Sequence, residues 1–199
     1  MKVTCIGIVG GSGAGKSTLC MALLDAYPDH IGLVQLDDYF KPSEEMPVVD
    51  GIVSSDHPES LYLDQIAEDL KELKKGNSVF INTKNERLNP DYKETGKRMR
   101  VQFVPKPIIL VEGFLVLQDQ AIRDQLSTSI WLDVPHDIRW SRRVHFKYDE
   151  DEKKILIPMH EKYVEPSKIY AEHCIDVSNQ TKEQVFEQVK EILTPYLST

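Results

Sequence analysis

Apolar positions along this chain follow two alternating rhythms. Val3 to Val9 is a mainly apolar, β-branched run ending in glycines, the pattern of a buried strand. Over 16–27 the apolar residues Leu19, Leu23 and Tyr27 recur every fourth position, which predicts a helix that Pro28 stops. Ile31 to Leu36 reads as a second buried strand. Over 59–75, Leu63, Ile66, Ala67, Leu70 and Leu73 share one helical face, and Lys74, Lys75 and Gly76 mark its C-terminus. After Pro107, Ile108 to Val111 is apolar on both faces, as a central parallel strand requires. Ser129 to Val134 predicts another strand, with a helix starting at Pro135. Glu172 to Val177 is the last strand. Thr181 and Gln184 form a capping box for a closing helix carrying Val185, Val189, Ile192 and Leu193.

Strands alternating with helices imply an α/β fold, a parallel sheet wrapped by helices. The stretch 78–104 breaks the alternation. Val79 to Ile81 and Val101 to Val104 are strand-like, and the polar segment between them has no crossover helix, so an antiparallel hairpin excursion is expected. No linker or repeat divides the chain, and a single domain over 1–199 is expected.

The first strand runs into Gly10-Gly11-Ser12-Gly13-Ala14-Gly15-Lys16-Ser17-Thr18, which satisfies G-x-x-x-x-G-K-S/T in full. The glycines let the backbone curl so that its N–H groups converge on phosphate oxygens, and the following helix adds its positive dipole end. Lys16 reaches the β- and γ-phosphates, and Ser17 offers a hydroxyl to Mg²⁺. At ordinary glycine usage, roughly one chain in a hundred of this length matches by accident. The strand before the loop and the helix after it make the match specific.

Composition narrows the partners. The chain has 199 residues and a net charge of −8, which disfavours nucleic acid and anionic membranes but not a small anionic ligand held by local geometry. Cys5, Cys20 and Cys174 are too far apart for a disulfide framework or a zinc site, and the histidines show no metal-ligand spacing. No apolar run approaches the ~18 residues of a membrane span. A soluble, reduced, cytoplasmic protein is expected, with homo-oligomerisation left open.

The candidate carboxylates lie where a parallel sheet presents its strand ends to ligands. Asp37, in Leu36-Asp37-Asp38-Tyr39-Phe40, is placed to take a proton from a substrate hydroxyl or to hold Mg²⁺ through water, or else forms an Asx turn. Glu112 closes the Ile108–Val111 strand and is the acidic partner expected for Mg²⁺. Asp56, in Asp56-His57-Pro58-Glu59, reads either as a helix cap in a capping box with Glu59 or as a ligand for substrate hydroxyls. Arg139, Arg142 and Arg143 follow Pro135 at helical spacing, with Arg139 and Arg143 on one face, suited to neutralising a triphosphate or to surface ion pairs.

Taken in order, these segments resemble the uridine kinase and phosphoribulokinase family of P-loop kinases, over about residues 3–178. GGSGAGKST resembles its phosphate loop, and LDDYF its Q-D-S-F-Y segment. LDDYFKP is closer still to nicotinamide riboside kinases. DHPES, VEGFLVL, RWSRRV and YVEPSKIYAE resemble further motifs in register, the last matching F-x-x-P-S/T-K. The resemblance implies a P-loop NTPase fold with a five-stranded parallel sheet, a hairpin over the acceptor and a lid over ATP, which here falls at about 145–160 and is shorter than the family's. It implies ATP and Mg²⁺, with Gly10 to Thr18 and Arg139 holding the nucleotide, and Ser17 and Glu112 serving the metal. Asp37 is the expected general base, with Lys16 and Arg143 stabilising the moving phosphoryl group. Asp37, Tyr39, Asp56, Lys84 and Arg87 are expected at the acceptor.

Two departures stand out. Thr83 to Asn89 lacks the aromatic and the histidine with which uridine kinases hold the pyrimidine. The R-x-x-x-R-G-R pattern after the arginine helix is missing, and Lys147, Lys153 and Lys154 are the nearby cations. The leading expectation is phosphorylation of a nucleoside hydroxyl, uridine or cytidine 5′-hydroxyl first. Nicotinamide riboside or a sugar phosphate is the next, and an ATP-binding regulatory module the third.

Overall fold

The computed structural model describes residues 3–142 and 150–197. In chain order the elements are β1 (Thr4–Val9), α1 (Lys16–Ala26), β2 (Ile31–Gln35), β3 (Val48–Val49), β4 (Ile52–Val53), α2 (Leu63–Lys74), β5 (Val79–Thr83), α3 (Tyr92–Thr95) and β6 (Met99–Phe103). There follow β7 (Ile108–Gly113), α4 (Gln120–Arg123), β8 (Leu126–Asp133), α5 (His136–Arg142), α6 (Glu150–Met159), β9 (His173–Asp176) and α7 (Lys182–Leu197). Five strands form one sheet in the order β2-β7-β1-β8-β9, every neighbouring pair parallel.

Side chains alternate between the two faces of this sheet, and each face has its own helices. Ile6, Ile8, Ile108 and Leu110 pack with Leu19 and Leu23 of α1 and Val189 and Leu193 of α7. Cys5, Val9, Ile109 and Val111 pack with Ile66, Leu70 and Leu73 of α2. The chain leaves β1 toward one edge of the sheet and crosses to the other edge only after β7. That reversal opens a crevice at the C-terminal ends of the central strands, where Gly10, Asp37 and Glu112 emerge.

The segment 78–104 is the expected hairpin. Val79 pairs with Phe103 and Thr83 with Met99, antiparallel and apart from the main sheet. The closing capping box is also present: Thr181 N–H donates to Gln184 Oε1 (2.8 Å) and Gln184 N–H to Thr181 Oγ1 (3.2 Å).

The helix expected over 59–75 begins instead at Leu63. Leu61 is extended and bridged antiparallel to Phe40, flanked by Lys41 N–H to Ser60 O (2.9 Å) and Tyr62 N–H to Tyr39 O (3.0 Å). The Asp56–Glu59 capping box does not form. His57 takes that place, its Nδ1 accepting from Glu59 N–H at 3.1 Å in a short 3₁₀ turn. Arg143 and the first residues of the expected lid lie outside the described residues. From 150 onward α6 leads into a π-helical turn at His160–Val164.

Candidate active site

The phosphate loop caps α1. Gly15 stands at the helix N-cap with φ 93°, a left-handed conformation open to glycine and strained for side-chain-bearing residues. Gly11 is required for a different reason. A Cβ there would run into the Arg139 guanidinium and the His160 ring, so the guanidinium packs directly on the loop backbone. Lys16 folds back over the loop, its Nζ donating to Gly11 O at 3.1 Å. Its burial lowers the ammonium pKa, and the charges of Glu112 and Asp37 oppose that shift.

A polar chain crosses the strand ends. Glu112 accepts from Ser17 Oγ (3.3 Å) and from Gln35 Nε2 (3.0 Å), and Gln35 Oε1 accepts from Asn85 Nδ2 (3.2 Å) on the hairpin side. Ser17 and Glu112 thus place a hydroxyl and a carboxylate side by side, the hard oxygen donors a divalent cation of the Mg²⁺ type takes. Sequence reasoning passed over Gln35 and Asn85. The clue was available in Gln35, a polar residue inside an otherwise apolar strand, which must find a partner once buried.

The two neighbouring aspartates divide their tasks. Asp38 is buried, and desolvation raises its pKa. It anchors the hairpin, accepting from Lys84 N–H (3.2 Å) and Arg98 Nη1 (3.2 Å). Asp37 is 40% exposed and faces a cavity, where its Oδ2 meets Lys84 Nζ at 2.6 Å.

That cavity, about 1190 Å³, runs the length of the strand ends. Asp37, Phe40, Asp56, Lys84 and Phe114 line it alongside the phosphate loop and Glu112. Arg142, Val177, Gln180 and Lys182 also line it, and Arg142 Nη2 fixes this part by donating to Val177 O (3.0 Å) and Ser178 O (3.2 Å). The sequence marked 177–182 only as a strand end and the helix cap at Thr181, not as part of the cleft.

Two residues expected at the acceptor are placed elsewhere. Tyr39 is 4% exposed in the core, and its hydroxyl donates to Asp69 Oδ2 of α2 at 2.9 Å, because an aromatic ring beside β2 is better buried than wet. Arg87 turns outward to pair with Asp25 at the end of α1. Asp56 lines the cavity, while His57 is the residue that caps the 3₁₀ turn.

One π-helical turn ties both halves of the cleft together. Tyr163 Oη meets His57 Nε2 at 2.8 Å, next to Asp56, and His160 Nε2 accepts from Arg139 Nη2 at 2.9 Å, next to Gly11. Burial, reinforced by the Arg139 charge, lowers the His160 pKa to about 3, so the ring is neutral. Glu165 Oε2, 3.3 Å from the same nitrogen, therefore makes no ion pair with it. Because the folded pKa lies below the unfolded value near 6.5, only the unfolded chain takes up this proton as pH falls. The stabilisation is complete above about 6.5 and is lost toward 3, with a limiting slope of about 1.4 kcal/mol per pH unit. Urea unfolding across pH 7 to 4 is expected to show this slope, and H160Q, whose amide oxygen still accepts from Arg139, is expected to flatten it.

Sheet order, phosphate loop and the carboxylates beside it define a P-loop protein built as small-molecule kinases are. The comparisons with known proteins agree. The Phosphoribulokinase / Uridine kinase family model matches residues 5–190. A uridine kinase of Clostridium novyi is 33% identical over 98% of each chain, and one of Streptococcus uberis is 34% identical over 86% of this chain and 85% of its own. Among solved structures, one from Bacillus stearothermophilus described as a possible uridine kinase superposes with a TM-score of 0.60, covering 88% of this chain and 90% of its own. At 17% identity, that likeness speaks to the fold. The chain belongs to the phosphoribulokinase / uridine kinase family.

Proposed function

We propose that this protein transfers the γ-phosphoryl group of ATP to a hydroxyl of a nucleoside, the 5′-hydroxyl of uridine or cytidine in the first instance. The observation that carries this reading is the single cleft lined by both the phosphate loop and Asp37. Asp37 accepts the hydroxyl proton as the oxygen bonds to the γ-phosphorus. The bond from that phosphorus to the β,γ-bridging oxygen breaks, and ADP leaves with the electron pair. Lys16 neutralises charge on the phosphates, and Asp56 takes the ribose hydroxyls. Ser17 and Glu112 would hold Mg²⁺, which supplies charge neutralisation to the β- and γ-phosphates when bound. Dependence on ATP fits a cytoplasmic enzyme, and among the described residues no helix is long and apolar enough to cross a membrane.

Charge favours an acceptor without a phosphate. Of the hairpin cations, Arg87 is engaged by Asp25, Arg98 by Asp38 and the Asp37 carbonyl, and Lys84 by Asp37. With Lys84 paired to Asp37 and Arg98 to Asp38, Asp56 leaves this end acidic on balance, which also suits the pyridinium of nicotinamide riboside as a second candidate. An acceptor panel scored by ADP release tests the reading. Release with pyrimidine nucleosides, and none with sugar phosphates, is expected. ATP binding with no acceptor-dependent release would overturn it in favour of a regulatory module.

A further inference from the structure

We propose that Lys84 is a catalytic cation on the acceptor side of the cleft, passed from Asp37 to the phosphoryl group as transfer proceeds. The proposal rests on the kinase reading above and adds a residue and a step to it. Lys84 Nζ lies 2.6 Å from Asp37 Oδ2, the atom class that takes the acceptor proton. An acceptor oxygen must sit between Asp37 and the γ-phosphorus, so it arrives within reach of the same ammonium.

The placement is built rather than incidental. The Lys84 backbone is pinned by the buried Asp38, which also holds Arg98, and the next residue, Asn85, is buried and bonded to Gln35 of β2. The root of Lys84 is therefore fixed to the strand end that carries Asp37, while its four-carbon stem can swing. An ammonium has three N–H donors, so a bond to Asp37 leaves two for other acceptors.

The chemistry supplies the reason to move. When the acceptor O–H bond breaks, its proton goes to Asp37 and the carboxylate becomes a neutral acid. Its hold on Lys84 weakens at that moment. The phosphoryl group, bonded now to the acceptor oxygen and parted from ADP, brings its anionic oxygens to this end of the cleft. Lys84 then meets the new monoester while Lys16 remains with the phosphate loop. No proton leaves Lys84, and the electron pair of the broken bond stays on ADP.

The test compares K84M, which keeps the apolar stem, with K84R, which keeps the charge. Turnover, the KM for ATP, and calorimetric binding of uridine and of uridine 5′-monophosphate are measured for both and for the wild type. In K84M, turnover is expected to fall about 10²-fold or more, as when one preorganised donor is removed. The monophosphate is expected to bind about 10-fold or more weakly, the loss of one charge-assisted bond. Uridine binding and the KM for ATP stay within about twofold, because the uncharged nucleoside gains no ion pair. K84R restores part of the turnover. Equal weakening of uridine and its monophosphate, or unchanged turnover in K84M, would overturn the role of Lys84 alone. A wild-type protein that phosphorylates no acceptor in the panel overturns the kinase reading as well.

Discussion

Replacing Asp37 by Asn is expected to lower turnover by about 10²–10⁴-fold while the KM for ATP stays within about twofold, the range for loss of a positioned proton acceptor. The amide keeps the shape of the carboxylate but takes up no proton at neutral pH. Among the described residues, the one tie this side chain makes to the hairpin is a partly exposed ion pair with Lys84, of the kind worth about 0–1 kcal/mol. The hairpin is held by Asp38, through Lys84 N–H and Arg98, and by the Asn85–Gln35 bond, none of which D37N touches. The variant therefore keeps its thermal midpoint, and steady-state kinetics separate loss of chemistry from loss of ATP binding. A turnover within threefold of wild type would remove Asp37 from the role of base.

The second large effect is at Lys16. K16M is expected to lose at least about 10³-fold in turnover, since it removes the cation on the phosphate side of the transferred group. The ligand-free protein is expected to become more stable, by about 2–4 °C in midpoint for each 1 kcal/mol gained. Lys16 is 8% exposed and its ammonium is disfavoured by burial, whereas methionine fills a similar volume without a charge to desolvate. Calorimetry without nucleotide measures the gain. The same scan with ATP and Mg²⁺ should raise the midpoint of the wild type and leave that of K16M unmoved. Site and stability are opposed at this residue, as functional sites commonly arrange.

Periodicity made the sheet readable because its strands are apolar on both faces and its long helices on one. The phosphate loop was readable because its chemistry is local, resting on consecutive residues of one turn. Lys84 and Asp37 were each legible as candidates, but their pairing joins positions 47 apart and required the hairpin to fold over β2. The same holds for Gln35 and Asn85. Tyr39 was expected at the acceptor through the resemblance of Leu36-Asp37-Asp38-Tyr39-Phe40 to a family segment, whereas its hydroxyl bonds Asp69 in the core. Nothing local reveals that its ring turns the other way, toward Asp69. Helix α2 started late because backbone pairing between 39–41 and 60–62 overrode a capping pattern that was locally sound.

The attachments of the hairpin carry a consequence for how such a protein changes over generations. Its polar anchors, the Thr83–Lys84–Asn85 stretch and Arg98, sit at the base, against β2, while the turn between them bonds chiefly to itself, as in Asn89 Nδ2 to Thr83 O (3.0 Å) and Lys97 O (2.9 Å). Mutations in that turn leave the phosphate loop, Glu112 and Asp37 in place. Among the described residues, none of 86–97 lines the cleft, so this stretch can drift in sequence while the cleft walls are inherited intact.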